Sequence, residues 1–275
     1  MTVTQSNARQ PFGGDLQVSD AIVEVPDLTK ATAADLESIA EVLNRSGFVV
    51  IQHDDFPDDP AAQVLALGGF LGSTYEHNRA DERGIVRMAP IDQSGVYLGA
   101  TSKEHPLHTD GAYDDDPPPL LALQCVVPAK TGGLSTVASG AALYDYLNQR
   151  DPAALKALRD PQALHVSRAD QHDTKAVFKV NGDRCHIVWR SDYTASFAAD
   201  DDTQRAVKLV KEYLADEANV VQFLLEKNQI ILLDNLALLH GRTSFDPGDE
   251  RKLNRVNFLG DNPFCEERLV YGFAV

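Results

Sequence analysis

Short apolar runs separated by turn-forming residues dominate the chain from about residue 85 onward. This pattern predicts many short β-strands, which we expect at 85–88, 95–98, 120–127, 134–138, 176–180, 184–189, 220–225 and 229–233. Asn181-Gly182 joins two of these runs and is typical of a tight β-hairpin. The spacing therefore predicts a β-rich core built as a sandwich or a jelly roll.

Helices flank and interrupt this β-rich region. The first helix has legible ends, because Thr32 is a suitable N-cap, apolar residues recur at helical spacing after it, and Gly47 can end it. A buried strand is expected directly afterwards, at 48–52. Further helices are expected from Asp59-Pro60 to about 68–72, and at 140–148, 152–159 and 203–217.

Neither a repeat nor a long linker divides the chain, so we expect one domain over residues 15–275 after a flexible N-terminus at 1–14. The 25 Lys and Arg residues against 41 Asp and Glu give a net charge of −16, which disfavours partners that are nucleic acids or anionic membranes. No apolar run approaches the roughly 18 residues of a membrane span. The N-terminal residues lack the layout of a signal peptide, and three scattered cysteines do not form a disulfide scaffold. We therefore expect a cytoplasmic protein that acts on a small molecule; a homo-oligomer is compatible with the sequence.

One short motif suggests chemistry. In an extended chain, the H-x-D sequence His108-Thr109-Asp110 places an imidazole and a carboxylate on the same side. One distant histidine would complete the two-histidine, one-carboxylate set that holds ferrous iron. A second H-x-D occurs at His53-Asp54-Asp55, where the strand enters an acidic turn and a surface role is expected. The motif alone therefore leaves open whether His108 and Asp110 bind a metal or are an ordinary strand pair.

The sequence around His108 narrows the choice. The stretch reads HPLHTDGAY, then DDDPPPL, and GGLSTV follows at 132–137. Far downstream, LDNLALLHGRTSF at 233–245 precedes Arg251 and Arg255. In this order and spacing the motifs resemble the taurine dioxygenase (TauD/TfdA) family of iron(II)- and 2-oxoglutarate-dependent oxygenases, over about residues 30–260. The resemblance implies a β-rich (α+β) fold: a double-stranded β-helix, the cupin-like jelly roll, with flanking helices.

The resemblance also implies roles for individual residues. The catalytic iron ligands would be His108, Asp110 and His240. Arg251 and Ser135 would bind the distal carboxylate of 2-oxoglutarate, in keeping with the ability of a guanidinium and a hydroxyl to bind carboxylate oxygens. Arg255 and His77 match positions that contact an acidic substrate in some members, and we expect Tyr97 in the pocket wall.

The implied activity is that of a dioxygenase that uses Fe(II), 2-oxoglutarate and O2. It would oxidise, by default hydroxylate, an unactivated C–H bond of a small polar, anionic metabolite and release succinate and CO2. Desaturation or cyclisation by the same enzyme class stays open. So do two other classes of protein, a non-catalytic jelly roll that binds a metal or ligand and a zinc-type hydrolase with the same three ligands.

Several charged residues also have simpler interpretations. Arg242 is expected to pair with a local carboxylate rather than to touch substrate. Arg251 is alternatively a solvated charge in the run Asp249-Glu-Arg-Lys252, and Arg255 alternatively forms only a salt bridge. The acidic clusters at 114–116 and 200–202 are expected at loop tips, where they favour solubility.

Overall fold

The computed structural model describes residues 16–91, 97–168 and 171–275, and its strands form four sheets. The strands are β1 (Ile22–Glu24), β2 (Phe48–Gln52), β3 (Val86–Met88), β4 (His105–His108), β5 (Leu120–Val127), β6 (Ser135–Ser139), β7 (Leu164–Arg168), β8 (Gln171–Lys175), β9 (Phe178–Asn181), β10 (Arg184–Ile187), β11 (Ala195–Phe197), β12 (Val220–Phe223), β13 (Gln229–Asp234), β14 (Leu238–Arg242), β15 (Lys252–Phe258) and β16 (Phe273–Ala274). The α-helices are α1 (Ala33–Ser46), α2 (Ala61–Ala66), α3 (Gly68–Leu71), α4 (Gly140–Arg150), α5 (Pro152–Ala157), α6 (Asp201–Ala215) and α7 (Pro263–Arg268).

Two of the sheets face each other and enclose the main core. One has six strands in the order β1-β2-β13-β5-β15-β3, and the other has four in the order β12-β6-β14-β4. Leu121 of β5 packs in the same core cluster as Val137 and Leu239 of the four-stranded sheet. Its neighbour Leu120 points to the opposite face, where it joins a second cluster with Ile39 of α1. This is the predicted double-stranded β-helix with helices on its outer face.

Most of the predicted elements are present. Helix α1 begins after Thr32, whose side chain forms a capping box with Asp35, and ends at Gly47 in the left-handed conformation with φ of 82°. The predicted hairpin pairs β9 with β10, Asn181 opposite Arg184. The predicted second helix is split in two, α2 and α3. The boundary predicted between residues 14 and 15 lies outside the described residues.

The strand predicted at 95–98 is wrong over its described part. Tyr97 precedes a short 3-10 helix, Leu98–Ala100, and residues 95 and 96 lie outside the described ranges. Conversely, β14 and β15 were not expected as strands. Their sequences, LLHGR and KLNRVNF, place polar residues at inward positions, which hides the apolar alternation that normally marks a strand.

The surface role expected for His53 is also wrong. His53 is buried at the end of β2, where its Nδ1 lies 2.6 Å from the Asp54 carbonyl and its Nε2 lies 3.2 Å from Gln124 Nε2. Burial lowers its pKa. The acidic turn after it is exposed, but the ring packs back against the sheet.

Among the described residues, the helices are all too short or too polar to cross a membrane.

Candidate active site

The two predicted histidine ligands form a cross-strand pair at the heart of the site. His108 ends β4, and His240 lies directly opposite it on the antiparallel strand β14. Asp110 completes a buried cluster in which one potential ligand atom from each residue lies within 4.8 Å of the others. Pairing β4 with β14 therefore brings together residues that are far apart in the sequence.

The sequence suggested that strand alternation places Asp110 on the same side as His108. In the structure a turn positions Asp110 instead. It lies two residues beyond the end of β4, and Gly111 follows with φ of 72°. A Cβ at Gly111 would lie only 2.6 Å from Pro118 Cδ, so the turn needs glycine. Asn235 fixes the backbone: the Asp110 N–H donates to Asn235 Oδ1 at 2.8 Å, and Asn235 Nδ2 donates back to the Asp110 carbonyl at 3.0 Å.

The protonation of the cluster suits a divalent metal. His108 Nδ1 lies 2.8 Å from the Pro106 carbonyl, which can only accept, so Nδ1 carries a proton and Nε2 is the ring nitrogen that faces the cluster, 3.6 Å from Asp110 Oδ1. Burial, helped by His108, lowers the pKa of His240 to about 3. Burial opposes ionisation of Asp110, but the nearby Arg255 guanidinium holds the pKa of this carboxyl well below its usual value. The set thus offers two imidazole nitrogens and a carboxylate to a metal.

Strand β15 supplies two further contacts to the cluster. Arg255 Nη1 lies 3.3 Å from Asp110 Oδ2, and Asn257 Nδ2 donates to the same oxygen at 3.1 Å. The two residues share one face of β15, two positions apart. Sequence reasoning missed Asn257; the only signal was this i, i+2 spacing from Arg255. Arg255 does form a salt bridge, but to the cluster itself, and its buried Nε lacks a hydrogen-bond partner among the described residues.

A buried arginine, Arg251, lies beside the start of β6. Arg251 is 6% exposed, and within the described part of the chain it forms neither a hydrogen bond nor an ion pair. Its Nε lies 3.3 Å from the position that a Cβ on Gly133 would take, two residues before Ser135, which is also buried. Burial lowers the pKa of Arg251 to about 10. The alternative of a solvated charge is therefore excluded by burial, and an unpaired buried guanidinium is a site for an anion.

The expected pairing of Arg242 with a carboxylate is wrong. Its guanidinium is buried and donates to the carbonyls of Leu98 and Thr101, at 3.4 and 3.1 Å. Burial and the nearby charge of Arg251 lower its pKa to about 9. Both guanidinium groups lie against the ring of Phe245, with their central carbons 4.8 and 5.5 Å from its centroid. Two buried cations thus share one small region whose described residues offer them no acid.

A cavity of about 240 Å³ opens beside two members of the cluster, and His240 is not among the residues that line it. It is lined by His108, Asp110 and Arg255, and also by the predicted substrate residues His77 and Tyr97. Burial, with the charge of Arg255, lowers the pKa of His77 to about 4, so this ring is neutral. The central guanidinium carbon of Arg79 lies 4.3 Å from the centroid of the Tyr97 ring. The buried hydroxyl of Tyr97 has no hydrogen-bond partner among the described residues. Arg251 and Ser135 do not line this cavity.

The opposite wall of the cavity is a preformed polar network. Arg190 bonds to Asp192 and, at 3.1 Å, to Thr194, whose hydroxyl lies 2.6 Å from the hydroxyl of Tyr113. Burial works against the charge of Arg190, but its bond to Asp192 raises the pKa of the guanidinium. This arginine is therefore compensated, unlike Arg251. The remaining charged groups of the lining are Glu76, Asp114 and Arg168.

Comparison with known proteins decides the family. The family model described as "Taurine catabolism dioxygenase TauD, TfdA family" matches residues 8–257, nearly the whole chain. The protein belongs to the TauD/TfdA family. This TauD/TfdA protein is also 26% identical over 170 residues to the trimethyllysine dioxygenase of Meyerozyma guilliermondii. That match covers 55% of this chain and 42% of the relative, so less than half of the relative's length is matched.

Solved structures agree with the fold of this TauD/TfdA protein. An asparagine oxygenase in complex with Fe(II), 3-hydroxyasparagine and succinate superposes with a TM-score of 0.68 at 15% identity, covering 87% of this chain and 94% of that one. The non-heme iron oxygenase OrfP, in complex with Fe, succinate and (3S)-hydroxy-L-Arg, has a TM-score of 0.68 at 16% identity and covers 85% and 82% of the two chains. At these identities the likeness establishes the double-stranded β-helix.

Proposed function

We propose that this protein is an Fe(II)- and 2-oxoglutarate-dependent dioxygenase that hydroxylates an unactivated C–H bond of a small polar, anionic metabolite. The observation that carries the proposal is the coexistence of two buried features in one jelly roll: the cluster of His108, Asp110 and His240, and the unpaired guanidinium of Arg251. Family membership supports it, as do the solved OrfP complexes, one of which contains Fe and alpha-ketoglutaric acid.

The three clustered side chains would hold the iron. Two neutral imidazoles and one carboxylate are the donors that ferrous iron takes in oxygenases with a two-histidine, one-carboxylate site, and the Pro106 carbonyl fixes the tautomer that frees Nε2 of His108. When bound, ferrous iron supplies the redox chemistry that activates oxygen and leaves coordination positions open. Asn235 and Asn257 hold the Asp110 backbone and carboxylate in place.

Arg251 and Ser135 would bind the distal carboxylate of 2-oxoglutarate. A guanidinium binds a carboxylate through two parallel hydrogen bonds, and a hydroxyl can add a third. The proposed reaction consumes 2-oxoglutarate, O2 and the substrate, and it releases succinate, CO2 and a product with one added oxygen atom. The residues of the chain position the two organic molecules and keep bulk water from the reacting centre.

The cavity supports a small charged substrate. Arg255 lines the cavity, and its buried Nε has no hydrogen-bond partner among the described residues. This guanidinium is therefore suited to an anionic group of the substrate. Glu76 and Asp114 also line the cavity and can accept hydrogen bonds from a donor or cationic group elsewhere on the same molecule. A small amino-acid-like molecule meets both requirements.

The test is succinate release. Purified protein is supplied with Fe(II), 2-oxoglutarate and O2 and screened against a panel of amino acids and related small anions. We expect at least one compound to stimulate succinate formation and to gain one oxygen atom by mass spectrometry, with no stimulation in Asp110→Ala. A product that has lost two hydrogen atoms would indicate desaturation or cyclisation instead. Iron and 2-oxoglutarate binding without succinate from any compound would favour the non-catalytic alternative, and zinc-supported hydrolysis without 2-oxoglutarate would favour the hydrolase.

A further inference from the structure

Arg242 connects two parts of the site that are separate in the sequence. On β14 it lies opposite Ser135 of β6 on one side and opposite His105 of β4 on the other. Its Nη2 donates to the carbonyls of Leu98 and Thr101. Leu98 begins the 3-10 helix Leu98–Ala100 and Thr101 follows it, so the guanidinium binds both ends of this helix. The first residue of this helix, Leu98, and Tyr97 before it line the wall of the substrate cavity.

The other neighbour of Arg242 is the proposed cosubstrate site. The guanidinium groups of Arg242 and Arg251 both contact the ring of Phe245, with their central carbons 4.8 and 5.5 Å from its centroid. The backbone of Phe245 also joins the two regions, because its N–H donates to the carbonyl of Ser102 at 3.0 Å. Like charges repel strongly at a buried site, where water screens them poorly. While Arg251 has no anion, its charge therefore works against a well-ordered position for Arg242.

We propose that Arg242 is a positioning residue that couples binding of 2-oxoglutarate at Arg251 to ordering of the Tyr97–Thr101 wall of the substrate cavity. This inference rests on the proposed function, in which the distal carboxylate of 2-oxoglutarate neutralises Arg251. Neutralisation removes the repulsion, so the hydrogen bonds from Arg242 to Leu98 and Thr101 become stronger and the wall becomes more rigid. Coupling is reciprocal, so a substrate that orders the same wall also tightens the binding of 2-oxoglutarate.

Hydrogen exchange of the segment 97–103 tests this directly. The exchange rate is measured under anaerobic conditions with Fe(II) bound, with and without saturating 2-oxoglutarate, and calorimetry in the same buffer confirms binding. In the wild type we expect 2-oxoglutarate to slow exchange of this segment at least about fivefold, the lower end of typical coupling. In Arg242→Met the segment exchanges faster from the start, and 2-oxoglutarate no longer changes its rate. Arg242→Lys, which keeps the charge but makes fewer hydrogen bonds, should give an intermediate ratio.

The matched control is Arg184→Met. Arg184 also holds main-chain carbonyls, those of Tyr271 and Gly272, at 2.8 Å, but it lies on β10, outside the site residues. This variant should keep the wild-type response of the segment 97–103 to 2-oxoglutarate. A loss of the response in the control as well would overturn the assignment to Arg242.

Arg251→Gln separates coupling from a purely structural role for Arg242. If repulsion from Arg251 loosens the wall, removing this charge slows exchange of the segment 97–103 even without 2-oxoglutarate, a direction that simple structural damage does not produce. Faster or unchanged exchange in Arg251→Gln overturns the coupling, and so does an unchanged response to 2-oxoglutarate in Arg242→Met. If calorimetry finds no binding of 2-oxoglutarate to the wild type, the proposed function itself fails.

Discussion

Two groups of buried charged side chains each have one member on strand β14, and the groups differ in how their charge is balanced. The His108–Asp110–His240 cluster lies between β14 and β4 and contains its own compensation, because Asp110 faces Arg255 and receives a hydrogen bond from Asn257. For the pair Arg242 and Arg251, near β6, the hydrogen bonds that the described residues show all go from Arg242 to main-chain carbonyls, and both guanidinium groups lie against the ring of Phe245.

This difference indicates what each group binds. A carboxylate with two imidazoles is a donor set, which suits a cation. Buried cations without an acid are costly, so an anionic ligand that supplies the missing negative charge is favoured at this place. A metal and an anionic cosubstrate are therefore expected at two separate sites, the metal at the four-stranded sheet and the cosubstrate beside the start of β15 in the six-stranded sheet.

The largest effect is expected from Asp110→Ala. The change removes the only carboxylate of the cluster and leaves Arg255 without its partner, so Fe(II) affinity should fall by more than the roughly 100-fold typical of losing an outer-shell contact. Calorimetric titration with Fe(II) under anaerobic conditions measures it. Asp116→Ala, which removes an exposed acid of the nearby loop, should bind Fe(II) like the wild type. Equal loss in both variants would show that the site depends on overall charge rather than on this cluster.

Arg251→Gln should affect the other group alone. Loss of a buried partner of a carboxylate costs about 2–5 kcal/mol, so we expect the Kd for 2-oxoglutarate to rise by roughly 30-fold to 1,000-fold or more. Fe(II) affinity should stay at the wild-type value. The Kd of Arg251→Lys for 2-oxoglutarate should lie between those of the wild type and Arg251→Gln, because an ammonium keeps the charge but not the two parallel hydrogen bonds. Unchanged 2-oxoglutarate binding in Arg251→Gln would place the cosubstrate elsewhere.

Asn257→Leu should weaken metal binding at the His108–Asp110–His240 cluster more than it weakens 2-oxoglutarate binding. It removes the hydrogen bond at 3.1 Å to Asp110 Oδ2 and keeps a side chain of similar size. Contacts of this kind typically contribute about 10–100-fold to metal affinity, and we expect a loss in that range. The affinity for 2-oxoglutarate in the presence of saturating metal should change less. A greater effect on 2-oxoglutarate than on the metal would contradict the separation of the two groups.

A further effect concerns pH and the stability of the fold rather than binding. Burial lowers the pKa values of His53, His105 and His240, so the unfolded chain takes up protons before the folded one does as the pH falls below about 6.5. The free energy of unfolding of the metal-free protein should therefore fall between pH 7 and pH 5, at up to about 1.4 kcal/mol per pH unit for each histidine that titrates only on unfolding. Urea unfolding measures the slope, and His53→Gln should reduce it. A stability that stays constant over this range would show that these rings become protonated in the folded state.

The His108–Asp110–His240 cluster was predictable because several short motifs around its members follow one another in a recognisable order. His108 and Asp110 lie in one short motif, and the glycine-rich and arginine-containing segments downstream occur in a recognisable order. Helix α1 and the β9–β10 hairpin were predictable for a similar reason, since capping residues and tight turns depend on neighbours a few positions apart. The strands β14 and β15 were not, because inward-facing polar side chains replace the apolar residues that normally mark a strand.

The amino-acid sequence by itself determined the β-rich class, the ends of α1 and the choice of His108, Asp110 and His240 as one constellation. The tertiary structure alone decided that Asp110 lies in a turn held by Asn235, that Asn257 supports its carboxylate, that His53 is buried and that Arg242 binds carbonyls instead of an acid. The physical reason is that these facts depend on pairing across the sheets. Whether a buried charge is compensated depends on which distant residues the strand register places beside it, and no spacing along the chain records that.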